Sequence, residues 1–77
     1  MNSQFSSLRF FTSNDFDITT IKKIFSNNKF ISGSLKLALD ENNKYKGHGY
    51  VKVKYIEDYL YFYNNTVLLN NIDVYFN

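Results

Sequence analysis

Residues 46–53 read Lys-Gly-His-Gly-Tyr-Val-Lys-Val, and this run constrains the fold more than any other part of the chain. Lys46, His48, Tyr50 and Lys52 fall on one side of an extended backbone, while Gly49, Val51 and Val53 fall on the other. Residues 45–54 are therefore expected to form a strand with one buried and one solvated face. Gly47 and Gly49 carry no side chain to pack, which weakens a strand unless a backbone or a ligand has to come close.

The remaining segments supply neighbours for that strand. Residues 8–11, Leu-Arg-Phe-Phe, are a strand candidate ended by the turn-rich Thr12-Ser13-Asn14-Asp15. Ile18, Ile21, Ile24 and Phe25 recur at helical spacing with Lys22 and Lys23 opposite, and Asp17 or Thr19 can accept from the free amides at the helix start. This helix is expected to end near Asn27-Asn28. Residues 31–40 switch to period two, with Leu35, Leu37 and Leu39 on the core side and Ser34, Lys36 and Ala38 on the other. Asp40-Glu41-Asn42-Asn43-Lys44 reads as a hairpin loop. Residues 56–63 place Tyr59, Phe62 and Tyr63 at three- and four-residue spacing, which predicts a second helix. Residues 69–76 alternate Ile72, Val74 and Phe76 against Asp73 and Tyr75 and form the closing strand.

The order strand, helix, strand, strand, helix, strand is the ferredoxin-like βαββαβ arrangement of the α+β class. It predicts a four-stranded antiparallel sheet with both helices on one face. Gly49, Val51, Val53, Leu35, Leu37, Ile72 and Val74 then point at the helices, leaving Lys36, Lys46, His48, Tyr50, Lys52, Asp73 and Tyr75 on the open face. The first strand admits two registers. If Leu8 and Phe10 face the core, Arg9 and Phe11 join the open face; the opposite register exposes Phe10 and turns Arg9 inward, where an unpaired cation is costly.

With 77 residues and no linker-like segment, the chain is expected to be one domain, 1–77, with its core at 8–76. It contains no Cys, so the apolar core must hold the fold alone, as suits a reducing compartment. No signal-like or membrane-spanning apolar run occurs, and the expectation is a soluble intracellular protein of the nucleus or cytoplasm, with no membrane partner. Asn64-Asn65-Thr66 matches a glycosylation acceptor only formally. The net charge of +2 does not by itself indicate a polyanionic partner, and the abundance of Asn, Lys, Tyr, Phe and Ile equally suits a genome of low GC content.

Lys46 to Val53 nearly spells the octapeptide of the RNA-recognition motif, Lys/Arg-Gly-Phe/Tyr-Gly/Ala-Phe-Val-x-Phe/Tyr. Lys46, Gly47, Gly49 and Val51 match, Tyr50 is a conservative replacement, and His48 and Val53 depart. With the order of elements, this makes residues 8–76 resemble a single RNA-recognition motif. The resemblance implies that Tyr50 stacks on a base, that His48 occupies a second ring position, and that Lys46 contacts phosphate. Arg9 stands where the first strand usually offers a ring, and a guanidinium can also stack. Lys36, Lys52, Phe11 and Tyr75 complete the expected surface, because rings stack bases while cations sit near phosphates. His48 can alternatively be a plain solvated residue, and Lys46 and Lys52 can be charges that keep a sheet edge soluble.

The expected partner is single-stranded RNA, within a larger ribonucleoprotein particle because the chain ends at Asn77. The alternative is a protein-interaction module docking through the aromatic second helix or through the sheet face. Residues 55–63 carry too many aromatic side chains for one helix face to bury, and an exposed stripe there marks a protein interface. No enzyme is expected: the only His stands without Cys, no Gly-rich phosphate loop occurs, and the carboxylates are scattered over loops and helix starts. Acylphosphatases share the strand order, but their Gly-rich anion loop bearing an Arg is missing here. Neither a cofactor nor a metal is expected.

Overall fold

Leu8 and Phe10 are fully buried while Arg9 and Phe11 are exposed, so the first strand adopts the register that keeps the guanidinium out of the core. The computed structural model describes residues 7–77; the polar lead-in at residues 1–6 lies outside the described residues. The elements are β1 (Ser7–Phe11), α1 (Ile18–Ile24), β2 (Lys36–Leu39), β3 (Tyr45–Lys52), α2 (Ile56–Phe62), β4 (Thr66–Leu69) and β5 (Ile72–Phe76). They form one antiparallel sheet in the order β2-β3-β1-β5-β4.

The sheet has five strands, not the expected four. What reads as a single closing strand over residues 69–76 divides at Asn70-Asn71, both in the left-handed region with φ of 50° and 65°. Two consecutive residues of positive φ make the tight turn whose twist suits a two-residue hairpin. Leu69 therefore pairs with Ile72, and β4 folds back along β5.

Alternation in β3 is as the sequence implies: Tyr45, Gly47, Gly49, Val51 and Val53 are buried, and Lys46, Tyr50 and Lys52 are exposed. Gly49 is required by close packing beneath the sheet. A Cβ there would lie 2.8 Å from Phe10 Cζ and would collide with the Lys36 carbonyl across the strand pair. Gly47 has φ of +101°, and a Cβ would come within 3.1 Å of the Thr12 carbonyl. Both glycines thus serve the approach of backbone and core.

The core is largely aromatic. Phe10 packs on Phe25 at 4.4 Å between ring centroids, and Phe62 stacks on Phe76 at 4.8 Å and on Phe30 at 5.6 Å. Ile21, Ile24, Val51, Val53 and Val74 fill the space around them. Rings of this size let a small chain remove much apolar area from water with few residues.

Several boundaries move. Asp17, not Thr19, caps α1, its Oδ1 accepting from the Thr20 amide at 2.8 Å. The helix stops at Ile24, before the expected Asn27-Asn28. β2 begins only at Lys36: the Ser34 amide donates to the Ile31 carbonyl and Gly33 has φ of +83°, so residues 31–34 turn rather than extend. Leu39 keeps the core-side face, opposite buried Tyr45, but as the last residue of the edge strand β2 it is exposed rather than in the core. In α2 Phe62 is buried and Tyr59 half-buried, but Tyr63 is the exposed C-cap.

Candidate nucleic-acid interface

Strand pairing sets the open face in rows. Lys36 stands opposite Tyr50, and Tyr50 opposite Arg9. Beyond Arg9 the row continues to Asn77, which exchanges backbone hydrogen bonds with Arg9 at 3.0 and 2.9 Å. In the next row His48 lies opposite Phe11, and Phe11 opposite Tyr75. Ser7 lies opposite Lys52 at the far end of β3.

The second row is a continuous strip of rings. Phe11 is flanked by His48 at 6.1 Å and by Tyr75 at 6.0 Å between centroids, with interplanar angles of 32° and 36°. Cross-strand neighbours on one sheet face meet in this way because alternation puts them on the same side. The three rings are tilted only moderately from one another, so flat groups can lie on them in sequence. Tyr50, at 53% exposure, stands in the adjoining row.

The cations border these rings. The Arg9 guanidinium lies 5.9 Å from the Phe11 ring centroid, and its Nη2 donates to Asn77 Oδ1 at 3.2 Å. Lys36, Arg9, Tyr50 and His48, with Phe11, Leu37, Ala38 and Gly49, line a shallow hollow of about 340 Å3. On the other side of Tyr50 a second hollow of about 200 Å3 is lined by Ser7, Ser34, Lys36, Val51 and Lys52. Tyr50 is thus a ridge with a cation-bearing depression on each flank. Lys46 stands apart, toward the hairpin loop, where its charge helps hold Asp40 ionised.

The sequence-expected residues Arg9, Phe11, Lys36, His48, Tyr50 and Tyr75 come together on the face, with Lys52 at its margin and Lys46 near the loop. Sequence reasoning misses Asn77, which positions Arg9. No local pattern signals a side chain contact across 68 positions.

Two carboxylates nearby are committed to backbone. Asp40 accepts from the Asn42 and Lys44 amides at 2.8 and 2.9 Å, and these bonds, that from Lys44 foremost, hold its carboxyl below the usual range. The Thr20 amide does the same to Asp17. Burial pushes the Tyr45 phenol up, partly offset by its 2.8 Å hydrogen bond with Thr12. A separate cleft of about 490 Å3 between the β1–α1 loop and the β2–β3 hairpin is lined by both signs of charge, Asp15 and Asp17 with Lys44.

A different surface is apolar. On and beside α2, Tyr55, Ile56, Leu60, Tyr61 and Tyr63 are all exposed, Leu60 by 66% and Tyr61 by 61%. Glu57 and Asp58 lie in the helix's first turn, Asp58 pairing with Lys29 at 3.9 Å. Among the described residues no helix is long and apolar enough to cross a membrane.

No family model and no curated protein matches the sequence. Among solved structures the chain is similar to the crystal structure of the Glorund qRRM2 domain, with a TM-score of 0.52 and 12% identity over 92% of this chain and 84% of that one. The likeness runs through the backbone rather than the sequence, and it agrees with the order of elements. The chain has the fold of an RNA-recognition motif.

Proposed function

We propose that the chain binds single-stranded RNA through the open face of its sheet. The observation that carries this reading is the ring strip His48–Phe11–Tyr75 beside exposed Tyr50, bordered by Arg9, Lys36 and Lys52. Rings of this kind stack bases without needing a particular sequence, and the cations lie where a backbone passing over the rings carries its phosphates. Lys46 extends the positive field toward the hairpin loop. The domain acts inside a ribonucleoprotein assembly, within the cell. Titrating short random-sequence RNA at several salt concentrations tests the reading: affinity should fall steeply with salt, and the absence of binding at low salt would exclude it.

The exposed α2 surface favours a second reading, a protein-interaction module. Apolar side chains concentrated around one short helix, away from the sheet's cations, suit a protein partner better than a polyanion. The two readings are compatible in one molecule, since the surfaces lie on opposite sides of the sheet. No catalytic role is proposed: Asp17 and Asp40 are engaged by backbone amides, and His48 stands among rings.

A further inference from the structure

The sheet ends differently on its two sides. β2 and β4 are both edge strands of four residues, so length does not distinguish them. β2 carries Lys36, and its pairing with β3 is irregular between Leu37 and Leu39. A lysine and a break in pairing are two devices that keep an edge from accepting another strand. β4 has neither. It reads Thr66-Val67-Leu68-Leu69, pairs with β5 without a break in register, and belongs to a stretch, residues 55–77, that holds no Lys or Arg. Leu68 is 64% exposed.

The ladder with β5 fixes which backbone groups of β4 look outward. The Phe76 amide donates to the Asn65 carbonyl at 3.0 Å, so Asn65 bonds inward. Bonded and non-bonded pairs alternate along an antiparallel ladder, so Val67 and Leu69 also bond inward, while Thr66 and Leu68 direct their N–H and C=O groups away from β5. Neither has another backbone partner among the described residues. The core side of the edge is equally incomplete. Val67 is only half-buried, although Val74, paired with it on β5, is fully buried.

We propose that β4 is a dimerisation edge whose occupant is β4 of a second copy of this chain, antiparallel to it about a two-fold axis through Val67. The outward groups suit a copy because Thr66 and Leu68 flank Val67 symmetrically: Thr66 of one chain lies opposite Leu68 of the other, and the two exchange backbone hydrogen bonds. Val67 then meets its own counterpart and is covered. Like charges stay apart, since the two copies of Asp73, the residue paired with Leu68, stand at least three strand spacings or roughly 14 Å from each other, beyond a screening length of about 8 Å. The guarded β2 edge ends the assembly at two chains.

The contact is small, so association should be weak and depend on concentration. Sedimentation equilibrium of the full chain, from micromolar to millimolar, should show a mass rising from 9.1 kDa towards twice that value. Thr66→Lys with Leu68→Lys sets like charges directly opposite and should hold the mass at the monomer value; Thr66→Glu with Leu68→Lys sets opposite charges there and should restore the dimer. Both side chains are exposed, and a thermal melt checks that the fold is kept. The chain has no Cys, so Val67→Cys reads the register. Non-bonded pairs of antiparallel strands stand about 4.5 Å apart between Cα atoms, within disulfide range, so mild oxidation should link this variant to itself and leave Leu68→Cys largely unlinked. Monomer mass at every concentration overturns the inference. So does a dimer that survives in the double-Lys variant, or one that links through Leu68→Cys as readily as through Val67→Cys.

Discussion

Tyr50 and Gly49 are adjacent, yet their side chain positions meet opposite environments. The Tyr50 ring stands in solvent on the open face, so Tyr50→Ala should leave thermal stability nearly unchanged while weakening RNA binding by about 1–3 kcal/mol, the worth of one base stack. Unaltered affinity in a folded variant, read by anisotropy, would remove the ring from the site. Gly49→Ala should do the reverse. Its new methyl would run into the Lys36 carbonyl and the edge of Phe10, and overpacking of this kind costs about 1–3 kcal/mol, measurable by urea unfolding. A full-stability Gly49→Ala variant would show that β2 and β3 yield more easily than their packing suggests. In sequence, a glycine within a strand leaves open whether backbone or ligand comes close, because the same vacancy serves both. Only the positions of the Lys36 carbonyl and of the Phe10 ring beneath the sheet decide against a ligand. Arg9 illustrates the other limit: alternation and the cost of burying its charge indicate its face, but Asn77, which holds it, is invisible to any local pattern.

Among the elements, β3 was the most legible because its alternation is unbroken from Tyr45 to Val53, and each side chain points where period two sends it. β2 was less so. The pattern Leu35, Leu37, Leu39 is equally regular, but Leu39 ends an edge strand and stays exposed although it pairs with buried Tyr45, and a strand's place at the edge of a sheet depends on its neighbours rather than on its own residues. β4 escaped because Asn70-Asn71 lacks the glycine that usually marks a two-residue hairpin. The signal was nonetheless present, since Asn tolerates the left-handed region better than most residues. This gives a prediction for the hairpin. Replacing both Asn70 and Asn71 by Ala should destabilise the domain by about 2 kcal/mol, because each methyl is then forced into a left-handed conformation. Asn71→Gly should match or exceed the parent in a thermal melt. A double-Ala variant as stable as the parent would mean that β4 contributes little to the folded state. β4 is an edge strand, but Val67 and Leu69 pack against the core, so a measurable loss is expected.

At the scale of the whole molecule, the sheet separates two surfaces of different chemistry. One carries Arg9, Lys36 and Lys52 around rings, with Lys46 toward the hairpin loop; the other carries exposed Leu60 and Tyr61 on a helix whose first turn is acidic. This division allows the two functional readings to be tested in one set of variants. Lys46→Glu combined with Lys52→Glu replaces two cations of the sheet side with like charges to phosphate, and should nearly abolish RNA binding. Each lost phosphate contact also lowers the salt slope by roughly 0.7 for a single strand, so any residual binding should depend less on salt. Both lysines are exposed, so the fold should survive, and a thermal melt checks that it does. Leu60→Ser with Tyr61→Ser should leave the RNA titration unchanged, since these side chains lie on the helical side of the sheet and away from its cations. If α2 docks a protein, the same pair should release the chain from its assembly in co-sedimentation, because exposed apolar anchors dominate such contacts. Retained RNA affinity in the double-Glu variant would defeat the sheet-face reading, and full association of the double-Ser variant would defeat docking through α2. Loss of particle association in the double-Glu variant alone would place RNA as the link between this domain and its assembly, the outcome expected if the sheet is the principal surface.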